Sequence, residues 1–295
     1  MKHITDTLIR AIEAAGNPTV LGLDTQYAHV PPQIAERFGD SPEGKVAAIG
    51  AYNRSLMDCL CDIVPAVKVQ VAYYEMLGFA GMRLFGETLA YARHKGMIAI
   101  ADVKRNDIGS TASAYARAYF GEEAPFRADF VTVNPYLGAD GVEPFLSPTG
   151  EHGIFALVKT SNPSGAQLQD RRMDDGRTLY ETVGALVEQW GAPALGAYGY
   201  SAVGAVVGAT WPEQGRQLRA QLPHTFFLVP GYGAQGGTAT DLAGCFDEEG
   251  RGAIVNASRS LLTAWQKSRM PFEQAVRHAA LAMRDDICGA LRRRS

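Results

Sequence analysis

Residues 98–111, IAIADVKRNDIGST, place charged side chains directly after a run of apolar residues. The alternation of Ile and Ala predicts a buried strand, and side chains two positions apart on a strand point to the same face. Asp102 and Lys104 are therefore expected on one face, with Asp107 following where the strand ends. Buried charges are costly unless they are paired or used. The stretch thus favours a functional cluster over a solvated ion pair.

The same type of strand recurs through the whole chain. Short β-branched or apolar runs alternate with helix-length segments that carry charges on one side. The predicted strands cover residues 19–24, 66–71, 97–104, 130–136, 154–160, 202–209, 225–231 and 252–258. The helical segments include residues 45–63, 84–95, 179–189 and 271–292. This alternation, without a linker or a change in composition, is typical of an α/β fold built as a single (β/α)8 TIM barrel, so we expect one domain over residues 1–295.

A doubly wound sheet is the alternative fold, but it does not explain why polar residues follow so many strands. In a barrel all the carboxyl ends of the strands meet at one mouth, where catalytic groups belong. The polar residues at these ends include Asp24, Lys68, Asp102, Lys104, Ser161 and Arg259. Each has an ordinary explanation as a turn residue or a surface charge. That all of them are expected at the same end of the barrel favours a catalytic site.

Composition and charge exclude several classes of protein. The chain has 28 Lys and Arg against 31 Asp and Glu, and because the basic residues are scattered, nucleic acid is not an expected partner. Its four cysteines form no C-x-x-C pair, so we expect no metal site. Residues 1–17 read as an amphipathic helix rather than a signal peptide, and no later run has transmembrane length. We therefore expect a cytoplasmic protein without membrane contact.

Residues 231–237, GYGAQGG, form a glycine-rich stretch after the seventh predicted strand. Glycines let backbone N–H groups approach an anion closely, and phosphate usually binds after strands seven and eight of a barrel. Arg259, after the eighth strand, adds a fork of donors that matches phosphate oxygens. A phosphorylated small molecule is therefore the expected ligand. No G-x-G-x-x-G lies at a first βα turn, which disfavours a dinucleotide fold.

The chain resembles the orotidine 5'-monophosphate decarboxylase family, and within it the longer bacterial (type 2) subgroup. The resemblance covers nearly the whole chain and rests on the motifs LGLD, AVKVQVAYYE, ADVKRNDIGSTA, VNPY, KTSNPSGAQ, VPGYGAQGG and NASRSLL. ADVKRNDI together with PGYGAQGG is highly specific. The resemblance implies conversion of orotidine 5'-monophosphate to UMP and carbon dioxide, the last step of de novo pyrimidine nucleotide synthesis, without a cofactor.

The resemblance also implies a role for each residue that matches a family motif. The implied catalytic residues form a network of alternating charges, Lys68, Asp102, Lys104 and Asp107. The implied substrate-binding residues are Asp24 and Thr111 for the ribose, Ser161 for the pyrimidine amide, and Gln235 and Arg259 for the phosphate. Asp107 and Thr111 would come from the partner subunit of a homodimer with shared active sites.

The residue types suggest how such a site would work. Loss of carbon dioxide leaves a carbanion at C6 of the pyrimidine, and Lys104 beside it can stabilise that charge and then donate the proton. Asp102 either repels the substrate carboxylate or holds Lys104 protonated and aimed, and the sequence leaves both possibilities open. It also leaves open whether residues 162–178 cap the pyrimidine or lie at the rim. His29 is given no role.

Two other functions remain as alternatives. A magnesium-dependent sugar-phosphate decarboxylase or synthase of the same superfamily shares the D-x-K-x-x-D strand but carries an acidic metal ligand on the second strand, where this chain has Lys68. A non-catalytic nucleotide-binding barrel is expected to have lost Lys104 or the second lysine, and this chain has both.

Overall fold

The structure is a computed structural model that describes residues 2–233 and 236–294. Its strands form a closed barrel in which neighbours in the sequence are neighbours in the sheet, and every pairing is parallel. The strands are β1 (Thr19–Leu23), β2 (Ala66–Gln70), β3 (Ile98–Arg105), β4 (Phe130–Val133), β5 (Gly153–Lys159), β6 (Val203–Val207), β7 (Phe227–Val229) and β8 (Ala253–Ala257). The predicted (β/α)8 barrel is confirmed.

Helices connect the strands and form the outer layer. Within the described residues they are α1 (Ile4–Ala15), α2 (Pro32–Ala35), α3 (Pro42–Leu60), α4 (Ala72–Glu75), α5 (Gly78–His94), α6 (Gly109–Phe120), α7 (Ala166–Gln169), α8 (Leu179–Gly191), α9 (Pro212–Gln221), α10 (Ala239–Leu242), α11 (Arg259–Leu262) and α12 (Phe272–Arg294). None of the helices in residues 2–233 and 236–294 is both long enough and apolar enough to span a bilayer.

Strands β4 and β7 end earlier than the sequence predicts, and proline explains both ends. The prediction for β4 ran to residue 136, but the strand stops at Val133 because Pro135 begins a 3₁₀ turn. The prediction for β7 ran to residue 231, but the strand stops at Val229, directly before Pro230. Proline has no N–H to donate to a neighbouring strand, so it does not continue a ladder inside a sheet.

Side chains alternate between the inside of the barrel and the layer under the helices. The interior cluster includes Val20, Ala66, Ile100, Phe130, Phe155 and Ile254, whereas Leu21, Val67 and Ala99 belong to the outer cluster. This alternation follows from the period of two along a strand. The barrel is therefore packed through its middle, and space for a ligand remains only towards its ends.

Helix α1 covers the amino end of the barrel. Its Leu8 and Ile9 belong to the interior cluster. The buried Asp6 carboxylate accepts hydrogen bonds from the backbone N–H groups of Ala197 (2.9 Å) and Tyr198 (3.2 Å), both ahead of β6. Because this end is closed, the carboxyl ends of the strands are where a substrate can enter.

Candidate active site

A cavity of about 590 Å³ opens at the carboxyl ends of the strands. The predicted site residues that line it are Asp24, Lys68, Asp102, Lys104, Ser161 and Arg259. They come from β1, β2, β3, β5 and β8 or from the segments directly after them. Barrel closure thus brings together residues that are far apart in the sequence, as the interpretation of the strand ends predicted.

The carboxylate of Asp102 lies at the centre of a hydrogen-bond network in this cavity. Lys104 Nζ donates to Oδ1 (2.5 Å) and Lys68 Nζ donates to Oδ2 (2.6 Å). The Thr132 hydroxyl donates to Oδ1 (2.9 Å), and the Gln70 amide donates to Oδ2 (2.9 Å). Each carboxylate oxygen therefore accepts from one ammonium and one neutral donor, which holds Asp102 in a single orientation.

Burial makes the charges of this network depend on one another. Lys68 and Asp102 are both less than one-tenth exposed. Burial alone raises the pKa of Asp102, but the charges of Lys68 and Lys104 outweigh it and hold that pKa well below its usual range. Burial likewise lowers the pKa of Lys68, but Asp102 and Asp24 outweigh it and raise that pKa. Both residues are therefore charged at neutral pH.

The backbone at Lys104 adopts a conformation that lysine rarely takes. Its φ is +47°, which makes Lys104 the one non-glycine residue with positive φ in the described part of the chain. The register with β4 shifts between Ala101 and Arg105, and the Thr132 hydroxyl accepts the N–H groups of Val103 and Lys104 (2.9 Å each). Such a conformation costs about 1–3 kcal/mol and occurs often at functional sites. Here it aims the Lys104 ammonium at Asp102.

Two predicted site residues, Asp107 and Thr111, do not line the cavity of this chain. Asp107 lies in the loop after β3, where its Oδ1 accepts from the N–H of Ile108 (2.8 Å). Thr111 is exposed on α6. Gln235 lies outside the described residues.

Three backbone amides of the glycine-rich loop make hydrogen bonds within the loop itself. The N–H of Gly233 donates to Gly237 O (2.8 Å), that of Gly236 to Gly233 O (2.9 Å), and that of Gly237 to Gly231 O (3.2 Å). These three amides are therefore used inside the loop, and binding of phosphate by the loop stays a prediction. Arg259 is among the described residues that line the cavity.

Several residues of the cavity were not predicted from the sequence. Gln70 and Thr132 both bind Asp102, and Gln70 could have been found because it lies two positions after Lys68 on the same strand. The wall also includes His29, whose Nδ1 accepts the N–H of Gln26 (3.1 Å). Burial and the charge of Arg259 lower the pKa of His29, against a smaller opposing effect of Asp24.

A glycine in the motif LGLD leaves space at the floor of the cavity. A Cβ atom on Gly22 would lie 2.0 Å from Ser258 Oγ and 2.9 Å from Asn256 Oδ1. Asn256 Oδ1 is buried and accepts no hydrogen bond from the described residues, and the same is true of Asp24 Oδ1, which lies 3.6 Å from Lys68 Nζ. Both residues line the cavity, and a buried oxygen without a donor is unusual in a folded protein.

The residues that face the cavity do not include a recognisable set of metal ligands. In residues 2–233 and 236–294, no group of three or more His, Cys, Asp or Glu is arranged to hold a metal ion. The cysteines of this part of the chain, Cys59, Cys61, Cys245 and Cys288, are unpaired thiols.

Buried ion pairs at the carboxyl ends of the strands are typical of the active sites of β/α-barrel enzymes. This chain is such an enzyme. The family model for "Orotidine 5'-phosphate decarboxylase / HUMPS family" matches residues 52–269. A protein of Rhodopirellula baltica named orotidine 5'-phosphate decarboxylase is 43% identical over an alignment of 305 residues, which covers 98% of this chain and 100% of that protein. The chain therefore belongs to the orotidine 5'-phosphate decarboxylase / HUMPS family.

Two further comparisons agree with this family. An orotidine 5'-phosphate decarboxylase of Clostridium acetobutylicum is 42% identical over 289 residues, which covers 96% of this chain and 98% of that protein. The structure of the OMP decarboxylase of Leishmania donovani superposes with a TM-score of 0.78 at 27% identity and covers 98% of this chain and 99% of that chain. The similarity thus extends over the whole barrel.

The charges around Asp102 lead to a prediction about stability in acid. Because its folded pKa lies below the unfolded value of about 3.9, Asp102 contributes stability above that pH, and this contribution is lost as the pH falls through the folded pKa. In Asp102→Asn, the free energy of unfolding should therefore change less than in the wild type between about pH 5 and pH 2. Urea unfolding at a series of pH values measures this difference.

The matched control is Asp174→Asn, which changes an exposed carboxylate in the same way. Its dependence on pH should follow that of the wild type. If the Asp102→Asn and wild-type curves run parallel below about pH 4, the ion pairs of Asp102 do not govern its pKa.

Proposed function

We propose that the protein decarboxylates orotidine 5'-monophosphate to UMP and carbon dioxide. The observation that carries this proposal is the Asp102 carboxylate held between the ammonium groups of Lys68 and Lys104 at the mouth of the barrel. It is supported by membership of the family and by relatives of that name that match nearly the whole chain.

The reaction requires a cation at one carbon atom. The bond between C6 and the carboxylate breaks, carbon dioxide leaves, and the electron pair stays on C6, where the ring offers no obvious electron sink. The Lys104 ammonium stabilises this charge and then transfers one proton from Nζ to C6, which completes UMP. Solvent returns a proton to Lys104, whose side chain is 45% exposed. The step needs no oxidant, reductant or cofactor.

Asp102 serves in this proposal as a positioning group for Lys104. Its two oxygens already accept from four donors, so it is held in place and charged before the substrate arrives. Such preorganisation of charge contributes to catalysis because little has to rearrange during the reaction. Lys68 donates a hydrogen bond to the second carboxylate oxygen of Asp102, and its ammonium also lies near Asp24.

The remaining cavity residues fit the parts of a nucleotide. Asp24 Oδ1 has no hydrogen-bond donor in the described residues, which suits it to accept from ribose hydroxyls. Ser161 lies on the wall after β5 and would bind the pyrimidine amide, while Arg259 at the rim would bind the phosphate together with Gln235. Phosphate binding far from C6 supplies binding energy that helps to close the site.

The magnesium-dependent sugar-phosphate function is disfavoured by charge. The ammonium group of Lys68 lies 2.6 Å from Asp102 Oδ2. It would repel a magnesium ion bound to that carboxylate. A non-catalytic barrel would have no need for a buried ion network with a strained lysine at its end. Both alternatives are therefore weaker than the decarboxylase.

We also propose a homodimer in which each active site includes Asp107 and Thr111 of the neighbouring subunit. Large apolar side chains are exposed in the segments that follow β2, β3 and β4, namely Met76, Phe79, Ile108, Tyr136 and Leu137. Phe79 is 99% exposed. Such a group of exposed apolar side chains favours burial in an interface, and Asp107 lies next to one of them in the sequence.

The reaction would be the last step of pyrimidine nucleotide synthesis, in the cytoplasm. Substrate and product are both phosphate monoesters, and their charge prevents free passage across a membrane. We further propose that residues 1–295 act as one domain, because the strands of the described residues all belong to one closed barrel.

The proposed role of Lys104 predicts a large and specific loss of activity. Lys104→Ala should fold but lose about 10⁴-fold or more in kcat, because it removes both the charge that stabilises the carbanion and the proton donor. The decrease in orotidine 5'-monophosphate absorbance measures the rate. Lys95→Ala, which removes a lysine paired with Asp58 on the outside of the barrel, should keep wild-type activity. Activity of Lys104→Ala within tenfold of the wild type would refute the role of Lys104.

The proposed role of Arg259 predicts a loss that depends on the phosphate. Arg259→Ala should weaken UMP binding by about tenfold or more, while uridine binding stays nearly unchanged. Isothermal titration calorimetry measures both affinities. The exposed Arg269 provides the control variant Arg269→Ala. Equal losses for uridine and UMP would make Arg259 a structural residue instead.

The same assay tests the metal-dependent alternative. Decarboxylation by the wild type should be unchanged by a chelator, because the proposed step uses no metal ion. Stimulation by magnesium would favour the sugar-phosphate relatives.

The shared site predicts complementation between two inactive variants. Lys104→Ala and Asp107→Ala should each be nearly inactive alone. After subunit exchange, one site of each mixed dimer carries both substitutions and the other carries neither. With random exchange, activity should therefore recover to about a quarter of the wild-type value. Lack of recovery in a sample with proven mixed dimers would show that Asp107 does not act across the interface.

A further inference from the structure

Lys159, at the end of β5, is a buried charge that the proposed reaction does not use. Its side chain is fully buried between the rings of Trp211 (4.5 Å from Nζ to the ring centre) and Tyr180 (5.3 Å). Its ammonium donates to Asp170, its one ion-pair partner in residues 2–233 and 236–294. A buried ammonium needs such a partner because an unpaired charge in this position is very costly.

Asp170 belongs to the segment of residues 162–178, which has little else to hold it. None of these residues is buried, so apolar packing contributes little to its position. The segment is therefore held at the barrel by polar contacts. The ion pair between Asp170 and Lys159 connects the segment to a fully buried side chain of the barrel.

The residue before Asp170 connects this anchor to the cavity. Gln169 lines the cavity, and its Oε1 accepts the N–H of Thr160 (3.0 Å) while its Nε2 donates to the Thr160 hydroxyl (2.8 Å). The indole N–H of Trp211, one of the rings against Lys159, donates to Thr160 O (2.8 Å). Thr160 is thus held by two residues that are linked to Lys159: Gln169, the neighbour of Asp170 in the sequence, and Trp211, whose ring packs on Lys159.

Ser161 follows Thr160 and shares this support. Thr210, adjacent to Trp211, donates from its hydroxyl to Ser161 O (3.0 Å). The backbone of Ser161 also packs so closely on Gly208 that a Cβ there would lie 2.7 Å from Ser161 Cα. Ser161 is therefore held by Thr210 and Gly208, and it is joined through the chain to Thr160. We define the Lys159 cluster as Lys159, Asp170, Gln169, Thr160 and Trp211.

We propose that the ion pair of Lys159 with Asp170 positions the pyrimidine side of the cavity, by anchoring residues 162–178 so that Gln169 fixes Thr160 and Ser161. This inference rests on the proposed function for the identity of the ligand. Lys159 and Asp170 are positioning residues, since neither is expected to touch the nucleotide. They would affect recognition of the base and not of the phosphate, which is assigned to Arg259 in the proposed function.

The first test compares two carboxylates in the same segment. Asp170→Asn removes the partner of Lys159, whereas Asp175→Asn removes an exposed pair with Arg177. Asp170→Asn should weaken UMP binding by about tenfold while binding of ribose 5-phosphate changes less than about twofold. Asp175→Asn should change neither. An equal loss for both ligands in Asp170→Asn would overturn the proposal.

A second measurement does not depend on the ligand. The N–H of Thr160 is protected by Gln169, so its hydrogen exchange should be about tenfold faster or more in Asp170→Asn, without any ligand present. Exchange at the wild-type rate would overturn the anchoring role. Another outcome is that the wild type does not bind UMP while hydrogen exchange at Thr160 is still faster in Asp170→Asn. That result would support the anchoring role of Asp170 and refute the proposed function.

A double variant separates positioning from stability. Asp170→Asn leaves a buried cation unpaired, which alone lowers stability. Lys159→Met combined with Asp170→Asn removes that cation with little change in volume, so the midpoint of urea unfolding should return close to the wild-type value. UMP binding should stay weak and Thr160 exchange fast, because the segment still lacks its anchor. Recovery of binding together with stability would show that the pair is only structural.

Discussion

The carboxylate of Asp102 is the group on which the rest of the site depends. It is buried, and it remains charged because two ammonium groups and two neutral donors surround it. Those donors come from three neighbouring strands, so the ion network also fixes how the carboxyl ends of β2, β3 and β4 meet. A buried charge network is stable only when every member is satisfied, and the closed barrel supplies the geometry that satisfies it.

The two ends of the barrel differ in how they are closed and in how polar they are. At the amino end, α1 closes the barrel with apolar side chains and a buried carboxylate that accepts backbone N–H groups. At the carboxyl end, polar side chains line a cavity whose oxygens are partly without donors. Stability is therefore concentrated in the packed middle and at the closed end. The open end can carry strain, as at Lys104, because packing elsewhere offsets its cost.

The candidate site residues were predictable to the extent that they follow the strand pattern. Asp24, Lys68 and Arg259 lie at or just beyond apolar runs, and all of them line the cavity. Thr132 was not predicted, because a threonine inside a strand is ordinary and its importance comes from hydrogen bonds to β3. The roles of Asp107 and Thr111 stay predictions, since they concern a second subunit.

The sequence by itself determined the order of strands and helices, the closed barrel and the charges that meet at its mouth. These features follow from local periodicity and from the rule that parallel strands end at one face. Only the tertiary structure decided that Thr132 shapes the backbone of Lys104 and that Lys159 turns away from the cavity to pair with Asp170. Such contacts depend on strand register and on a bulge, which arise when the barrel closes and leave no periodic signal in the sequence.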